Sequence, residues 1–224
     1  PPPGTPPTYL LPNQFPMERL LALPLPLANR RSRRLAMISS NQAKKGVADF
    51  VEIARRLTDR LPEMEFVLYG PETALLRTLG VPRRRVGRRG GIRYGGYVKD
   101  PSDALRATDI LLNLSHVEES FGRTALEAMA AGRPVICYAR GALPELVSDG
   151  ANGYLVPFRD LDRLAERIDA LVRQGDRIRE MGRCGRERAR AHAKLGFDAM
   201  IAEIYREFLM QAERSASGER VEMP

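Results

Sequence analysis

Short apolar segments that alternate with amphipathic helical patterns are the feature that most constrains the fold of this chain. From residue 34 onward, apolar segments are followed by apolar residues at the three- and four-residue spacing of a helix face. Segment 110–114 is almost continuously apolar, which is typical of a strand covered on both faces in a parallel sheet. The alternation therefore predicts an α/β fold, a Rossmann-like doubly wound parallel sheet with helices on both faces.

Six strands and several helices can be placed along the sequence. The predicted strands cover residues 35–39, 66–69, 92–98, 110–114, 134–138 and 154–156. Helices are expected over residues 47–57 and 161–171, and others are expected to begin at Pro101 and near Arg123 and Thr124. Proline is tolerated in the first turn of a helix, because the N–H that it lacks has no partner within the helix there.

The chain divides into three parts by composition. Residues 1–32 are rich in proline and lack periodicity, so a linker or an extended arm is expected there. Residues 33–195 are predicted to form one domain, since 224 residues suffice for one sizeable core. Residues 196–224 are expected to form an amphipathic helix and a tail, and the apolar stripe of the helix favours self-association or a partner subunit. The stripe consists of Phe197, Met200, Ile201, Ile204, Tyr205, Phe208 and Leu209.

Segment 116–146 carries the pattern that says most about chemistry. An acidic loop and a glycine precede a helix and a strand, an order that builds a ligand site at the carboxyl edge of a parallel sheet. Glu119 and Glu127 have seven residues between them, and Gly122 stands just before the helix. A helix start binds phosphate, glycine permits close backbone approach, and carboxylates accept hydrogen bonds from sugar hydroxyls. These parts suit a nucleotide-sugar, although a solvated helix face would show the same two glutamates.

A larger set of motifs surrounds these glutamates. In chain order they are Leu11-Pro12-Asn13, Lys45-Gly46, Gly70-Pro71-Glu72, Gly96-Tyr97-Val98, Asp109, Glu119-Ser120-Phe121-Gly122, Ala125-Leu126-Glu127-Ala128-Met129-Ala130, Gly132-Arg133-Pro134-Val135-Ile136, Pro144-Glu145-Leu146-Val147 and Gly150 to Gly153. The set extends over most of the chain and resembles the retaining glycosyltransferases of family 4, which have the GT-B fold. The resemblance implies that the chain is the carboxyl-terminal, donor-binding half of such an enzyme, and that transfer needs an amino-terminal acceptor domain.

The resemblance also implies roles for individual residues. In that family the glutamate that matches Glu119 contacts the donor sugar, the one that matches Glu127 holds the ribose, and Lys45 matches a lysine on the pyrophosphate. Glu119 and Lys45 are therefore the predicted catalytic residues. The family works without an essential metal or other cofactor, and a nucleotide-diphosphate sugar is its substrate. The predicted donor-binding residues are Ser40, Lys44, Lys45, Gly46, Gly70, Tyr97, Val98, Glu119, Ser120, Phe121, Gly122, Arg123, Thr124 and Glu127.

Each of three positions allows two interpretations. Ser40 stands five residues before Lys45, where the family usually has an arginine, so either Lys44 supplies the charge or the chain binds without catalysing. Tyr97 suits a contact to the base or a buried, turn-stabilising tyrosine. His116 is near enough to Glu119 in sequence to suggest a general base, but a hydrogen-bonding loop histidine is favoured.

The net charge of +8 raises the hypothesis of a polyanionic partner. Arginine clusters at residues 30–34 and 83–89 would attract any polyanion. They lie in predicted loops and lack interleaved aromatic residues, which disfavours nucleic acid. An anionic membrane surface, where each basic residue gains about 1 kcal/mol, and simple solubilisation stay equal alternatives.

Cysteine usage and hydropathy predict the compartment. Cys137 and Cys184 have no CxxC spacing, so free thiols in a reducing compartment are expected. No apolar run reaches the roughly 18 residues that span a bilayer, and no cleaved secretion signal is recognisable. The sequence therefore predicts a cytoplasmic protein, with peripheral membrane association as the open alternative.

The function predicted from the sequence is retaining sugar transfer from a nucleotide-diphosphate sugar bound by residues 33–195. Two alternatives stay open. One is a non-catalytic nucleotide-sugar binding module or truncated relic, which Ser40 favours. The other is a basic protein that binds polyanions or nucleic acid, which only the net charge favours.

Overall fold

Strands and helices alternate in the computed structural model, which describes residues 17–29, 32–83, 90–193, 202, 204–206 and 208–210. The strands are β1 (Arg33–Ile38), β2 (Met64–Tyr69), β3 (Gly91–Gly96), β4 (Ile110–Asn113), β5 (Val135–Tyr138) and β6 (Gly153–Val156). The helices are α1 (Glu18–Leu21), α2 (Val47–Thr58), α3 (Ala74–Thr78), α4 (Pro101–Arg106), α5 (Arg123–Ala130), α6 (Leu143–Leu146), α7 (Leu161–Val172) and α8 (Gly175–Ala193), and a 3₁₀ turn at Ala43–Lys45 precedes α2. All six predicted strands are present, and each end lies within two residues of its predicted position.

The six strands form one parallel sheet in the order β3-β2-β1-β4-β5-β6. β1 pairs with β2 along its whole length, and with β4 at Leu35 and Ala36. The chain moves outward from β1 to β3 on one side and from β4 to β6 on the other. The loops after β1 and β4 therefore diverge and leave a crevice at the carboxyl edge. This order confirms the predicted Rossmann-like doubly wound sheet.

Apolar clusters cover both faces of the sheet. Successive residues of a strand point to opposite faces, and Leu35 and Phe66 join one cluster while Ala36 and Val67 join the other. Phe50 of α2 meets Phe66 edge to face, with ring centroids 6.1 Å apart. Burying one such side chain contributes roughly 1.5–3 kcal/mol. The buried face of α2 thereby fixes the start of this helix, which lies two residues after Lys45.

The residues that precede β1 pack against the sheet domain. Leu20 and Leu23 are buried. Arg186 of α8 donates to the carbonyl of Leu23 at 2.7 Å, and Arg133 donates to the carbonyl of Pro24 at 2.7 Å. The part of the proline-rich segment that the structure describes thus lies against the domain, and the described residues from 17 to 190 form one compact unit.

β3 ends earlier than the sequence predicts. It stops at Gly96, whose φ of 93° lies in a region that favours glycine. Tyr97 is 70% exposed, which excludes the buried alternative for this side chain. Val98 packs beside Ala36 and Val67.

The described residues from Ala191 onward belong to a second unit. Tyr205, Phe208 and Leu209 are helical and exposed there, whereas Phe197, Met200 and Ile201 of the predicted stripe lie outside the described residues. In the described part of the chain, every helix is too short or too polar to cross a membrane.

The two cysteines should differ sharply in reactivity. Neither is paired, and Cys137 is buried in β5, where burial raises the pKa of its thiol to about 12. Because the thiolate is the form that reacts, Cys137 should resist iodoacetamide at mildly basic pH, whereas the half-buried Cys184 should be alkylated. Mass spectrometry of the native protein measures both sites, with labelling in denaturant as the control. Equal native labelling would contradict the burial of β5.

Candidate functional site

A cleft of about 400 Å³ opens at the carboxyl edge of the sheet. It lies where the strand order changes between β1 and β4, which is where open α/β sheets bind ligands. The ends of the four strands β1 to β4 and the start of α5 supply its walls. The lining residues are Met37, Ile38, Ser39, Ser40, Lys45, Gly70, Pro71, Tyr97, Val98, Leu112, Asn113, Glu119, Gly122, Arg123 and Thr124.

Asn41 shapes the turn between β1 and α2. It is fully buried and has a φ of 52°, a conformation that asparagine tolerates better than most residues. Its Nδ2 donates to the carbonyl of Pro71 at 3.0 Å, and the hydroxyl of Thr73 donates to the Asn41 carbonyl at 2.9 Å. These bonds connect the turn to the loop after β2. The position of the turn places Ser40 and Lys45 in the cleft.

Gly46 allows the Lys45 turn to lie directly against the end of β4. Its φ is 74°, and a Cβ added at this position would lie 1.8 Å from the carbonyl oxygen of Leu114. Both the conformation and the close approach require glycine. The contact sets the spacing between the start of α2 and the loop after β4, and therefore between Lys45 and Glu119.

Lys45 and Glu119 form an ion pair inside the cleft. Lys45 Nζ donates to Glu119 Oε1 at 2.6 Å, and the two side chains are 25% and 22% exposed. The ammonium has further N–H donors, and the carboxylate has a second oxygen that accepts hydrogen bonds. The pair thus offers a cation and an anion side by side, a combination that suits a ligand in which a phosphate is joined to a group rich in hydroxyls.

The start of α5 faces the same cleft. Gly122 precedes the helix with a φ of 71°, and a Cβ there would lie 2.9 Å from Leu146 Cδ1. Arg123 and Thr124, the first two residues of the helix, line the cleft. The first N–H groups of a helix have no partner within it and carry a partial positive charge. They add to the charge of Lys45 as a site for phosphate.

Glu127 lies behind the helix start rather than in the cleft wall. It is 5% exposed, and Arg123 Nε donates to its Oε1 at 2.8 Å. Burial raises the pKa of the Glu127 carboxyl, and the bond from Arg123 opposes that rise. The Arg123 side chain, which is 65% exposed, therefore occupies one oxygen of the Glu127 carboxylate, and a ligand hydroxyl would compete with it for that oxygen.

The structure brings most of the predicted donor-binding residues together. Those that line the cleft are Ser40, Lys45, Gly70, Tyr97, Val98, Glu119, Gly122, Arg123 and Thr124. Those outside its lining are the exposed Lys44 and Ser120, the half-buried Phe121, and the buried Gly46 and Glu127. The second group surrounds the first along the same loops, so Gly46 and Glu127 act on the cleft only through their neighbours in this arrangement.

A polar cluster behind the cleft was not predicted from the sequence. His116 Nε2 lies 2.8 Å from Asp49 Oδ2, and the hydroxyl of Tyr138 donates to the same oxygen at 2.7 Å. His116 is thus a hydrogen-bonding loop histidine, the interpretation that the sequence favoured. Asp49 is buried in α2 among apolar neighbours, and a carboxylate at such a position is the sequence signal that could have revealed the cluster.

Comparison with known proteins gives a consistent family. Residues 32–174 match the model of the family Glycosyl transferases group 1. The trehalose synthase of Pyrococcus horikoshii is 30% identical over 169 residues, which cover 70% of this chain and 39% of that protein. Anabaena Alr3699/HepE, solved in complex with UDP and glucose, superposes with a TM-score of 0.64 at 21% identity, over 78% of this chain and 48% of its own.

A solved single domain covers a larger share of its own length. The C-terminal domain of the group 1 glycosyltransferase LpcC from Francisella tularensis superposes with a TM-score of 0.60 at 23% identity, over 81% of this chain and 94% of its own. At such identities the structural matches establish the fold alone, and the chain spans less than half of the length of the trehalose synthase and of HepE. Because the family model covers well over half of its residues, the chain belongs to the Glycosyl transferases group 1 family.

Proposed function

We propose that the cleft binds a nucleotide-diphosphate sugar and that the protein transfers this sugar to an acceptor with retention of configuration. The observation that carries the proposal is the Lys45–Glu119 pair, 2.6 Å apart, beside the start of α5. Lys45 and the helix N–H groups supply positive charge for the pyrophosphate, and Glu119 accepts hydrogen bonds from sugar hydroxyls. The structural neighbour HepE supports this assignment, since it was solved with UDP and glucose.

In the proposed reaction the bond between the anomeric carbon and the diphosphate breaks, and a bond from that carbon to an acceptor oxygen forms on the same face. Negative charge grows on the departing diphosphate. Lys45 and the start of α5 stabilise that charge where it develops, which is the main catalytic contribution proposed for this chain. The acceptor proton passes to the leaving phosphate, so the scheme needs no nucleophile from the protein.

Transfer also requires a surface that holds the acceptor. The chain spans 39% of the length of the trehalose synthase that it resembles, and an acceptor domain or partner subunit facing the cleft is part of the proposal. Holding the acceptor in reacting position lowers the barrier by about 7–11 kcal/mol. A cytoplasmic location, contact with an anionic membrane surface, and self-association through exposed residues such as Phe208 stay predictions.

Thermal unfolding in the presence of nucleotides tests the donor proposal. The ligands, each added separately, are UDP, GDP and ADP and their glucose conjugates. The diphosphate and the conjugate of one base should raise the melting temperature, and those of the other bases should not. A ligand at a hundred times its Kd stabilises the fold by about 2.7 kcal/mol, which is readily measured. Salt-sensitive stabilisation by RNA, with no response to any nucleotide diphosphate, would contradict the proposal and support a polyanion-binding protein.

Glu127→Gln should weaken the diphosphate and its sugar conjugate to the same extent if Glu127 holds the ribose. The expected loss is roughly 1–3 kcal/mol for each ligand, because both contain the ribose and both lose one charged hydrogen bond. Calorimetry of UDP and UDP-glucose, or of the pair selected by the thermal screen, measures the two losses. Burial raises the pKa of this carboxyl, so ionisation of Glu127 lowers the free energy of unfolding as the pH rises. The glutamine variant has no charge to bury and should remain folded at neutral pH. A loss confined to the sugar conjugate would contradict the ribose assignment.

A nucleotide-sugar-binding module without catalysis is the second candidate. Ser40 favours it, because this neutral side chain lines the cleft where the resembled family usually has an arginine. Such a module would pass the thermal screen but release no labelled sugar to any acceptor when its acceptor domain or partner is supplied. Retaining transfer of a radiolabelled sugar under those conditions would exclude it.

A further inference from the structure

Asp49, His116 and Tyr138 join three separate elements behind the cleft. Asp49 lies in the first turn of α2, His116 lies in the loop between β4 and α5, and Tyr138 ends β5. A carboxylate offers acceptors alone, so the His116 Nε2 that faces it at 2.8 Å carries a hydrogen. Burial, followed by the bond to Asp49, raises the pKa of Tyr138, so its hydroxyl remains a donor to the same oxygen. One carboxylate oxygen therefore accepts two hydrogen bonds from distant parts of the chain.

The cluster lies next to the two charged residues of the cleft. The backbone N–H of His116 donates to the carbonyl of Lys44 at 2.8 Å, so the loop that carries Glu119 is bonded to the turn that carries Lys45. On the other side, the backbone N–H of Ala142 donates to the carbonyl of Glu119 at 2.7 Å. The loops after β1, β4 and β5 thus meet around Glu119. The side chains of the cluster add a second connection, which joins α2, the loop after β4, and the end of β5.

An aromatic and cationic cover lies over part of the cluster. The ring of Phe158 packs edge to face on His116 and on Tyr138, with centroids 5.5 Å apart in both cases. The Arg140 guanidinium lies over the Phe158 ring, 4.2 Å from its centroid. Hydrogen bonds in such a partly water-excluded place are electrostatically stronger than exposed ones. The cover therefore favours a fixed spacing between the loops.

We propose that His116, held by Asp49 and Tyr138, is a positioning residue that fixes Glu119 relative to Lys45 so that both engage one donor molecule. The inference rests on the proposed donor-binding function. His116 reaches no lining position of the cleft and acts through Glu119, three residues away on the same loop. Its contribution should therefore appear for the sugar conjugate, which uses Glu119, and hardly for the plain diphosphate, which uses Lys45 and the start of α5.

Calorimetry with UDP and UDP-glucose tests this division, followed by GDP with GDP-mannose and ADP with ADP-glucose if the first pair does not bind. His116→Ala should weaken the sugar conjugate roughly three- to thirtyfold, the range typical of coupled neighbours, and the diphosphate by less than about twofold. His116→Gln, whose amide can donate to Asp49, should restore most of the loss. Tyr138→Phe should weaken the sugar conjugate by a smaller factor, again without weakening the diphosphate. This variant replaces His116→Ala in the test if His116→Ala does not fold.

A double-mutant cycle separates positioning from general destabilisation. In a Glu119→Gln background, His116→Ala should cause no further loss of UDP-glucose affinity, because the residue through which it acts is already disabled. Ile168→Val, a core change in α7 away from the cleft, is the matched control and should leave both affinities unchanged. Independent, additive losses in the cycle, or equal losses for the two ligands, would overturn the positioning role while leaving the donor site intact. If the wild-type chain binds none of these nucleotides, the proposed function itself fails, and this inference fails with it.

Discussion

Gly46→Ala should destabilise the protein by about 3 kcal/mol or more, one of the largest losses expected from a single methyl group in this chain. Two costs add at this position. A φ of 74° is unfavourable for alanine, and the new Cβ would lie 1.8 Å from the carbonyl oxygen of Leu114, a backbone atom that cannot move without shifting β4. Chemical denaturation measures the loss directly, and nucleotide binding should fall with it because the Lys45 turn is displaced.

Gly150→Ala separates the two costs. Gly150 has a φ of 76°, close to that of Gly46, but a Cβ there would meet no heavy atom within 4 Å. This control should lose only the conformational term, about 1–2 kcal/mol. If the two variants were equally stable, the close contact between the Lys45 turn and Leu114 would be wrong, and with it the spacing of the cleft.

Lys45→Gln and Glu119→Gln should move the affinity for a plain nucleotide diphosphate in opposite directions. In the proposed complex, loss of the Lys45 ammonium removes a charged hydrogen bond to the pyrophosphate, so Lys45→Gln should weaken the diphosphate and the sugar conjugate by about 1.5–3 kcal/mol each. Glu119 already pairs with this ammonium at 2.6 Å, so in the proposed complex it competes with the pyrophosphate for Lys45. Glu119→Gln should therefore tighten the diphosphate by up to about 1 kcal/mol, the range of a partly exposed ion pair, while weakening the sugar conjugate.

Calorimetry of the two ligands with both variants gives the four affinities. Arg179→Gln, at an exposed position of α8 outside the lining of the cleft, is a matched control that removes one positive charge and should change neither affinity. Weaker binding of the diphosphate to Glu119→Gln would show that the carboxylate does not compete for Lys45. The proposed role of the ion pair in donor binding would then be wrong.

The sheet could be predicted from the sequence because its signal is local and repeated. Each strand is a short apolar run, as at residues 110–114, and each following helix carries its own apolar spacing. The early end of β3 could not be read in this way, because an apolar pattern continues through Val98 whereas the backbone conformation of Gly96 decides where pairing stops.

Most of the cleft residues could be named from the sequence, but lining residues such as Leu112 and Asn113, and the contacts between the named ones, could not. Family resemblance pointed to Lys45 and Glu119 separately, as a phosphate ligand and a sugar ligand. Their direct pairing joins positions 74 residues apart, and the bond from Tyr138 to Asp49 joins positions 89 apart. No periodicity connects such positions, since only the strand order brings their loops to one edge. The bond from Arg123 to Glu127 was equally hidden, because the sequence does not show which side chains of a helix turn toward each other.

The arginines that hold the segment before β1 have a consequence for how this protein can diverge. Arg186 donates to the backbone carbonyls of Leu23, Ala130 and Ala131, and Arg133 donates to those of Pro24 and Leu105. A carbonyl oxygen is the same in every amino acid, so these anchors recognise the path of the chain and not its side chains. Substitutions in the segment should be tolerated wherever an apolar anchor such as Leu20 persists, whereas insertion or deletion of one residue would displace the carbonyls of Leu23 and Pro24 together. Homologous proteins that keep both arginines should therefore vary freely in sequence here and hardly at all in length.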